Sequence, residues 1–296
     1  MTTHGETPRA GARRATAPRR RRVRAVARTL AVLAAVLAVA ASPPTGRAEA
    51  LQPQERITFQ SLSPSLAEPV PATLYRPDGP APFPSIVLLH GCEGITNTER
   101  TWASWFLSAG YEVVMPDSLA PRGTRGLCAA GESSFRDHAL DALGALIALR
   151  SHPGTDPARI AVIGWSHGGG ATLEAASAQM VAAVKPPGGG FAAAIAVYPH
   201  CASFLPGGIA SPLLILAGGA DDEEPPAGCV VRATQLRNAG APIDWHVYPE
   251  ATHVFDMPGP DRIVRQNNRT FHLRYDETAT QDARTRIAQF LTEHLR

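Results

Sequence analysis

The run Ala161-Val162-Ile163-Gly164-Trp165-Ser166-His167-Gly168-Gly169-Gly170 constrains this chain more than any other stretch. Apolar, β-prone residues lead into Gly-x-Ser-x-Gly, and a small-residue helical pattern follows from Ala171 to Ala178. A serine hydroxyl is a weak nucleophile. A tight strand-to-helix turn lifts it above the sheet edge, where a base and a carbonyl can reach it. Gly164 and Gly168 stand where a side chain would collide with the turn or the neighbouring strand. Ser166 is the candidate nucleophile.

From residue 51 onward the pattern alternates strands and helices. Glu55 to Ser61 and Val70 to Tyr75 read as antiparallel strands. Ser85 to His90, Tyr111 to Met115, Ile160 to Trp165, Ala192 to Tyr198, Leu213 to Ala217 and Asp244 to Tyr248 read as further strands. Helices are expected over Thr98–Ala109, about Ser134–Ser151, from Ser166 to near Met180, over Gly228–Ala239 and over Thr278–Arg296. Such alternation predicts an α/β class chain with a mostly parallel sheet of about eight strands and helices on both faces. Ligands bind such sheets at the carboxyl ends of the strands, which is where the candidate residues fall.

A serine needs a base, and the base needs an acid to orient it. Of the ten histidines, His253 stands just beyond the last strand, where a loop can carry it to Ser166. The strand Leu213 to Ala217 runs into Gly218-Gly219-Ala220-Asp221-Asp222, so Asp221 or Asp222 is the orienting acid. The order Ser, Asp, His is the one used by α/β-hydrolases. The acidic run Asp221-Asp222-Glu223-Glu224 reads otherwise as a solvated turn. Backbone N–H donors for an oxyanion are expected at His167, directly after the nucleophile, and at Cys92, in the turn after His90-Gly91. His90 itself reads as structural. Trp165, Arg122 and Glu93 are the candidate substrate contacts; Arg122, or Arg125, would clamp a substrate carboxylate as a bidentate fork. Trp102 and Trp105 read as helix core. This chemistry calls for no metal and no organic cofactor.

The first fifty residues form an Arg-rich stretch, an apolar run from Leu30 to Ala41 and the small-x-small triplet Ala48-Glu49-Ala50. They read as a signal peptide cleaved after Ala50, leaving residues 51–296 as one catalytic domain bound for secretion or the periplasm. The apolar run is short of the ~20 residues a membrane span requires. This leader carries ten arginines and two glutamates, a net of +8, so the remainder carries −6 of the whole-chain +2. That acidic balance gives no electrostatic case for nucleic acid. All four cysteines, at 92, 128, 201 and 229, lie beyond the leader, and an even count in an exported chain suits disulfides.

The sequence resembles the dienelactone hydrolase family of α/β-hydrolases over roughly residues 70–296. The likeness rests on Leu88-Leu89-His90-Gly91-Cys92-Glu93-Gly94, Pro116-Asp117-Ser118 with Pro121-Arg122-Gly123, Gly164 to Gly169, Asp221-Asp222 with Pro225, and His253-Val254-Phe255-Asp256. In that family the acid stands four residues before a proline, which selects Asp221. The founding members use a cysteine nucleophile and a nearby glutamate; this chain has Ser166, and Gly91 at the glutamate position. The resemblance implies a serine esterase acting on small-molecule carboxylic esters or lactones through an acyl-enzyme. Gly-Trp-Ser in an exported chain is also similar to cutinase-like polyester hydrolases. An acyltransferase on the same triad and a non-catalytic binding protein of the same fold are the other readings. In an α/β-hydrolase sheet the strands preceding Cys92 and Cys128 are neighbours, as are those preceding Cys201 and Cys229. The expected disulfides are therefore Cys92–Cys128 and Cys201–Cys229.

Overall fold

Residues along the central strands alternate strictly between two apolar layers, as a period of two on a sheet covered on both faces requires. Val87 and Leu89 pack on one side and Ile86 and Leu88 on the other, and Val162 and Ile163 divide in the same way. The computed structural model describes residues 55–128, 133–201, 207–266 and 269–296. The expected leader and its cleavage site after Ala50 lie outside the described residues.

Eight strands form one sheet: β1 (Glu55–Phe59), β2 (Val70–Tyr75), β3 (Phe83–Leu89), β4 (Glu112–Pro116), β5 (Thr155–Trp165), β6 (Ala193–Val197), β7 (Leu213–Gly218) and β8 (Ile243–Tyr248). Their spatial order is β1-β2-β4-β3-β5-β6-β7-β8. The β1–β2 and β2–β4 pairs are antiparallel, and every pair from β4 to β8 is parallel. The first layer is closed by α2 (Ser133–Leu149), α3 (His167–Ala175) and α5 (Ala227–Asn238), through Leu143, Leu146, Leu173, Ala233 and Leu236. The second is closed by α1 (Asn97–Ser108) and α6 (Glu277–His294), through Trp102, Phe106, Ala283, Ile287 and Leu291.

Two local expectations give way. The helix after Ser166 does not run on to Met180. It stops at Ala175, and Ser177 opens a separate α4 (Ala178–Val184) by accepting the Met180 N–H at 3.1 Å. A serine side chain at that position competes with the helix and caps the next one. The second is an addition: a hairpin of β9 (Arg262–Gln266) and β10 (Arg269–Leu273) stands outside the main sheet. Its alternation is masked in sequence by arginines at three of its ten strand positions. Cys92–Cys128 and Cys201–Cys229 are bridged, with Cα separations of 4.8 and 5.0 Å. Among the described residues, no helix is long and apolar enough to cross a membrane.

Candidate active site

Ser166 sits between β5 and α3 at φ 51°, ψ −115°. A non-glycine residue holds such a conformation only where its surroundings enforce it. The two glycines do the enforcing. A Cβ on Gly164 would lie 2.1 Å from the Gly168 carbonyl oxygen, and one on Gly168 would lie 2.4 Å from that of Leu89. The elbow can therefore press against β3 as closely as backbone allows. The Ser166 N–H is fixed to the Val197 carbonyl at 3.0 Å. The N–H groups of the first turn of α3, His167 among them, have no partner within the helix.

The loops after β7 and β8 bring the other two residues to this point. Ser166 Oγ donates to His253 Nε2 at 2.9 Å, and His253 Nδ1 donates to Asp221 Oδ2 at 2.7 Å. Asp221 is chosen over Asp222 by its own turn. Its second oxygen accepts the N–H groups of Glu223 (3.0 Å) and Glu224 (2.8 Å), which holds the buried carboxylate still. Asp222 points outward and accepts the backbone N–H of His272 in β10. Burial of His253 opposes its protonation, but the hydrogen bond and charge of Asp221, with Glu223 and Glu224 behind it, outweigh that. The net effect raises its pKa.

A cavity of about 280 Å³ opens over Ser166 and His253. Gly91, Cys92, Glu93 and the Thr96–Glu99 turn line one side. Val254, Met257, Arg262, Val264 and Leu273 line another, so the hairpin absent from the sequence reading supplies a wall. Of the four described non-glycine residues with positive φ, three line this cavity: Ser166, Tyr198 and Val254.

Two carboxylates that sequence reasoning did not single out hold this arrangement together. Glu99, buried, accepts the Gly91 N–H at 3.1 Å and both the N–H (2.7 Å) and hydroxyl (2.6 Å) of Thr96. It thereby fixes the turn that presents Cys92. The spacing Thr96-x-x-Glu99 is a capping box and was visible in the sequence. Asp256, also buried, accepts the indole N–H groups of Trp102 (2.6 Å) and Trp165 (2.8 Å) and the Tyr198 hydroxyl (2.7 Å). No local pattern announces that hub, because its partners lie 154, 91 and 58 residues away. Burial pushes the Asp256 carboxyl up, against the pull of those three donors, and burial beside Asp256 pushes the Tyr198 phenol well up. The edge of Tyr198 packs on the His253 ring, with centroids 4.7 Å apart.

The expected substrate contacts divide. Glu93 and Trp165 line the cavity, although the Trp165 indole is buried and committed to Asp256. Arg122 does not reach it. Its guanidinium forks onto Asp141 of α2 at 2.7 and 3.1 Å and also bonds the Ser118 carbonyl, so the expected substrate clamp is corrected to an internal ion pair. Asp141 is buried and must be paired, which decides where the arginine goes. Trp102 is core, as expected. His90 accepts the Ser118 N–H at Nε2 and donates from Nδ1 to the Gly91 carbonyl, a structural role in the same turn.

Residues 70–295 match the family model described as the dienelactone hydrolase family. Among solved structures, the chain is similar to a Klebsiella pneumoniae protein assigned to the dienelactone hydrolases (20% identity, 81% of this chain and 99% of that one, TM-score 0.56). A dienelactone hydrolase-like promiscuous phosphotriesterase from metagenomic libraries matches at 17% identity over 83% of this chain and 100% of that one, TM-score 0.58. A thermophilic esterase from the Planctomycetes species Thermogutta terrifontis matches at 19% identity over 79% and 91%, TM-score 0.59. At these identities the structural likenesses speak to the fold.

Proposed function

This chain belongs to the dienelactone hydrolase family and is a carboxylic ester hydrolase, and on that premise we propose that it cleaves esters or lactones through Ser166, His253 and Asp221. The observation that carries the reading is the continuous hydrogen-bond chain Ser166 Oγ to His253 Nε2 and His253 Nδ1 to Asp221, at 2.9 and 2.7 Å, opening on one cavity.

Ser166 Oγ attacks the carbonyl carbon as its proton passes to His253 Nε2. The oxyanion accepts hydrogen bonds from the backbone N–H groups of Cys92 and His167. Collapse breaks the ester bond, and His253 hands its proton to the departing alkoxide oxygen. Water then gives a proton to the same nitrogen and attacks the acyl-enzyme, releasing the acid and restoring Ser166. Asp221 holds the imidazole in the tautomer these transfers require.

A fluorophosphonate probe on the folded protein tests this directly. Labelling at Ser166 that is lost in S166A and strongly slowed in H253A is expected, together with a loss of esterase activity of several orders of magnitude. Unchanged activity in S166A would falsify the assignment. We also propose that residues 1–50 are an export leader removed after Ala50, in keeping with two disulfides beyond it. An exported protein whose N-terminus is not Leu51 would contradict that boundary.

A further inference from the structure

The four carboxylates of Asp221-Asp222-Glu223-Glu224 have four different fates. Asp221 holds His253, Asp222 holds the β10 backbone and Glu224 pairs with His200 at 2.7 Å. Glu223 lines the cavity, with Oε2 3.9 Å from His253 Nε2 and 23% of its side chain still exposed. The groups facing it are His253, Asp221, Glu224 and Arg269, and burial is the largest influence on its carboxyl, pushing the pKa up.

His253 Nε2 is the atom that protonates the departing alcohol, so the ester's alkoxyl oxygen must approach it to hydrogen-bond distance, about 3 Å. The carbons of the alcohol half then pass close to Glu223. A charge two carbons from the ester oxygen comes within roughly 5 Å of that carboxylate. In half-solvated surroundings an interaction at that range changes a rate by about fivefold to tenfold. Other charges lie about the cavity: the carboxylates of Glu93 and of Glu99, the latter bonded to Gly91 and Thr96, and the guanidinium groups of Arg262, which donates to Met257 Sδ, and of Arg269, which donates to the Asp222 and Glu223 carbonyls. Among the described residues, Glu223 is the one whose carboxylate comes within 4 Å of His253 Nε2.

We propose that Glu223 sets charge selectivity for the leaving alcohol: esters of cationic alcohols are preferred over neutral ones, and esters of anionic alcohols are rejected. This rests on the assignment of Ser166 and His253 above.

The test uses three butyrate esters of matched shape: choline, its neutral tert-butyl analogue with carbon in place of nitrogen, and isethionate. For the full-length enzyme, kcat/KM for the choline ester should exceed that of the neutral analogue by about fivefold to tenfold, with the isethionate ester below it by a similar factor. In E223Q the three values should converge. Added salt should shrink the wild-type preference, and acidification that protonates Glu223 should do the same. Because each comparison is a ratio, the titration of His253 cancels. Equal rates in the wild type, or a preference that survives in E223Q, overturn the proposal. Should E223Q not fold, the salt series decides: a wild-type preference insensitive to ionic strength overturns it too. If none of the three esters is cleaved, this inference fails, while the reading of Ser166 and His253 stands or falls on the fluorophosphonate labelling. Cleavage without charge preference removes only the role of Glu223.

Discussion

Asp256 accepts the indole N–H of Trp165 at 2.8 Å, which ties the turn carrying His253 to the residue immediately before Ser166. The same carboxylate takes Trp102 from α1 and Tyr198 from the end of β6. The Ser166 turn, the His253 turn and the cavity floor are thus referred to one buried group. A buried carboxylate is costly unless its lone pairs are occupied, so its three donors and its charge depend on each other.

The three donors give Asp256 variants a predictable order. In D256N the amide oxygen can still accept both indoles while the NH₂ faces the Tyr198 oxygen, whose hydroxyl rotates to accept. D256A leaves all three donors buried and unpaired. The expected losses in unfolding free energy are about 1–2 kcal/mol for D256N and about 3–5 kcal/mol for D256A. Urea denaturation of the two variants measures this, and D256N falling below D256A contradicts the hydrogen-bond account.

Asp221 and Asp222 are neighbours with separable duties. D221N should lower kcat about a thousandfold or more, because the amide no longer holds the required histidine tautomer. D222N keeps an amide oxygen to accept the His272 N–H, loses only the charge on an exposed turn, and should change kcat by less than about threefold, as expected of a surface site. Steady-state kinetics on both variants separates them; equal losses would point to Asp222 as a second support of His253.

Much of this was legible because its causes are local. Gly164 and Gly168 had to be glycine, and the Cβ distances give the reason. The strand–loop ends that carry Asp221 and His253 followed from apolar runs with sharp stops. What was not legible depends on distant partners. Arg122 reads as a substrate clamp because its partner, Asp141, stands nineteen residues on and is buried in α2. Asp256 looked like the last letter of a motif. The β9–β10 hairpin, rich in arginine, carried too little apolar alternation to read as strands. Yet it bonds the Asp221 loop through Asp222, and Arg274, directly after it, donates its N–H to the Thr252 hydroxyl of the His253 loop at 2.8 Å.

Stability should fall on acidification below neutrality. Burial pushes the His167 pKa down to about 3 and that of His138, next to it, well below its ordinary value. The unfolded histidines take up protons near pH 6.5 and the folded ones do not. Their contribution is therefore present above that pH and is lost as pH falls toward the folded values, at about 1.4 kcal/mol per pH unit for each. Chemical denaturation between pH 7 and 4 measures the slope. His138→Gln should flatten it by about one such increment, and an unchanged slope would remove His138 from the account.

Activity should have its acid limb above the ordinary histidine range. His253 must be unprotonated to accept the Ser166 proton, and its pKa is raised by Asp221 and the two glutamates in spite of burial. The rise of kcat/KM with pH should therefore be centred above 6.5. E223Q, which removes one of the charges, should move that limb toward lower pH. A limb that stays put in E223Q, or one centred below 6.5 in the wild type, would show that His253 does not feel these carboxylates.

The two disulfides should separate stability from catalysis. They close loops of 36 and 28 residues, for which chain entropy gives about 3–4 kcal/mol each. Cys92 and Cys128 both line the cavity, and Cys92 is the proposed oxyanion donor, held from one side by Glu99 through Gly91 and from the other by this bridge. Asp221, by contrast, has its own supports in the Glu223 and Glu224 N–H groups and in His253, so Cys201–Cys229 is not its only restraint. The double variants C92S/C128S and C201S/C229S should therefore lose similar stability. The first alone should lose kcat by about tenfold or more, since a displaced oxyanion donor weakens the transition state and leaves ground-state binding nearly intact. Kinetics at a temperature where both variants remain folded makes the comparison. Equal kcat in the two would mean that the Cys92 turn keeps its geometry without the bridge, with Glu99 sufficient to hold it.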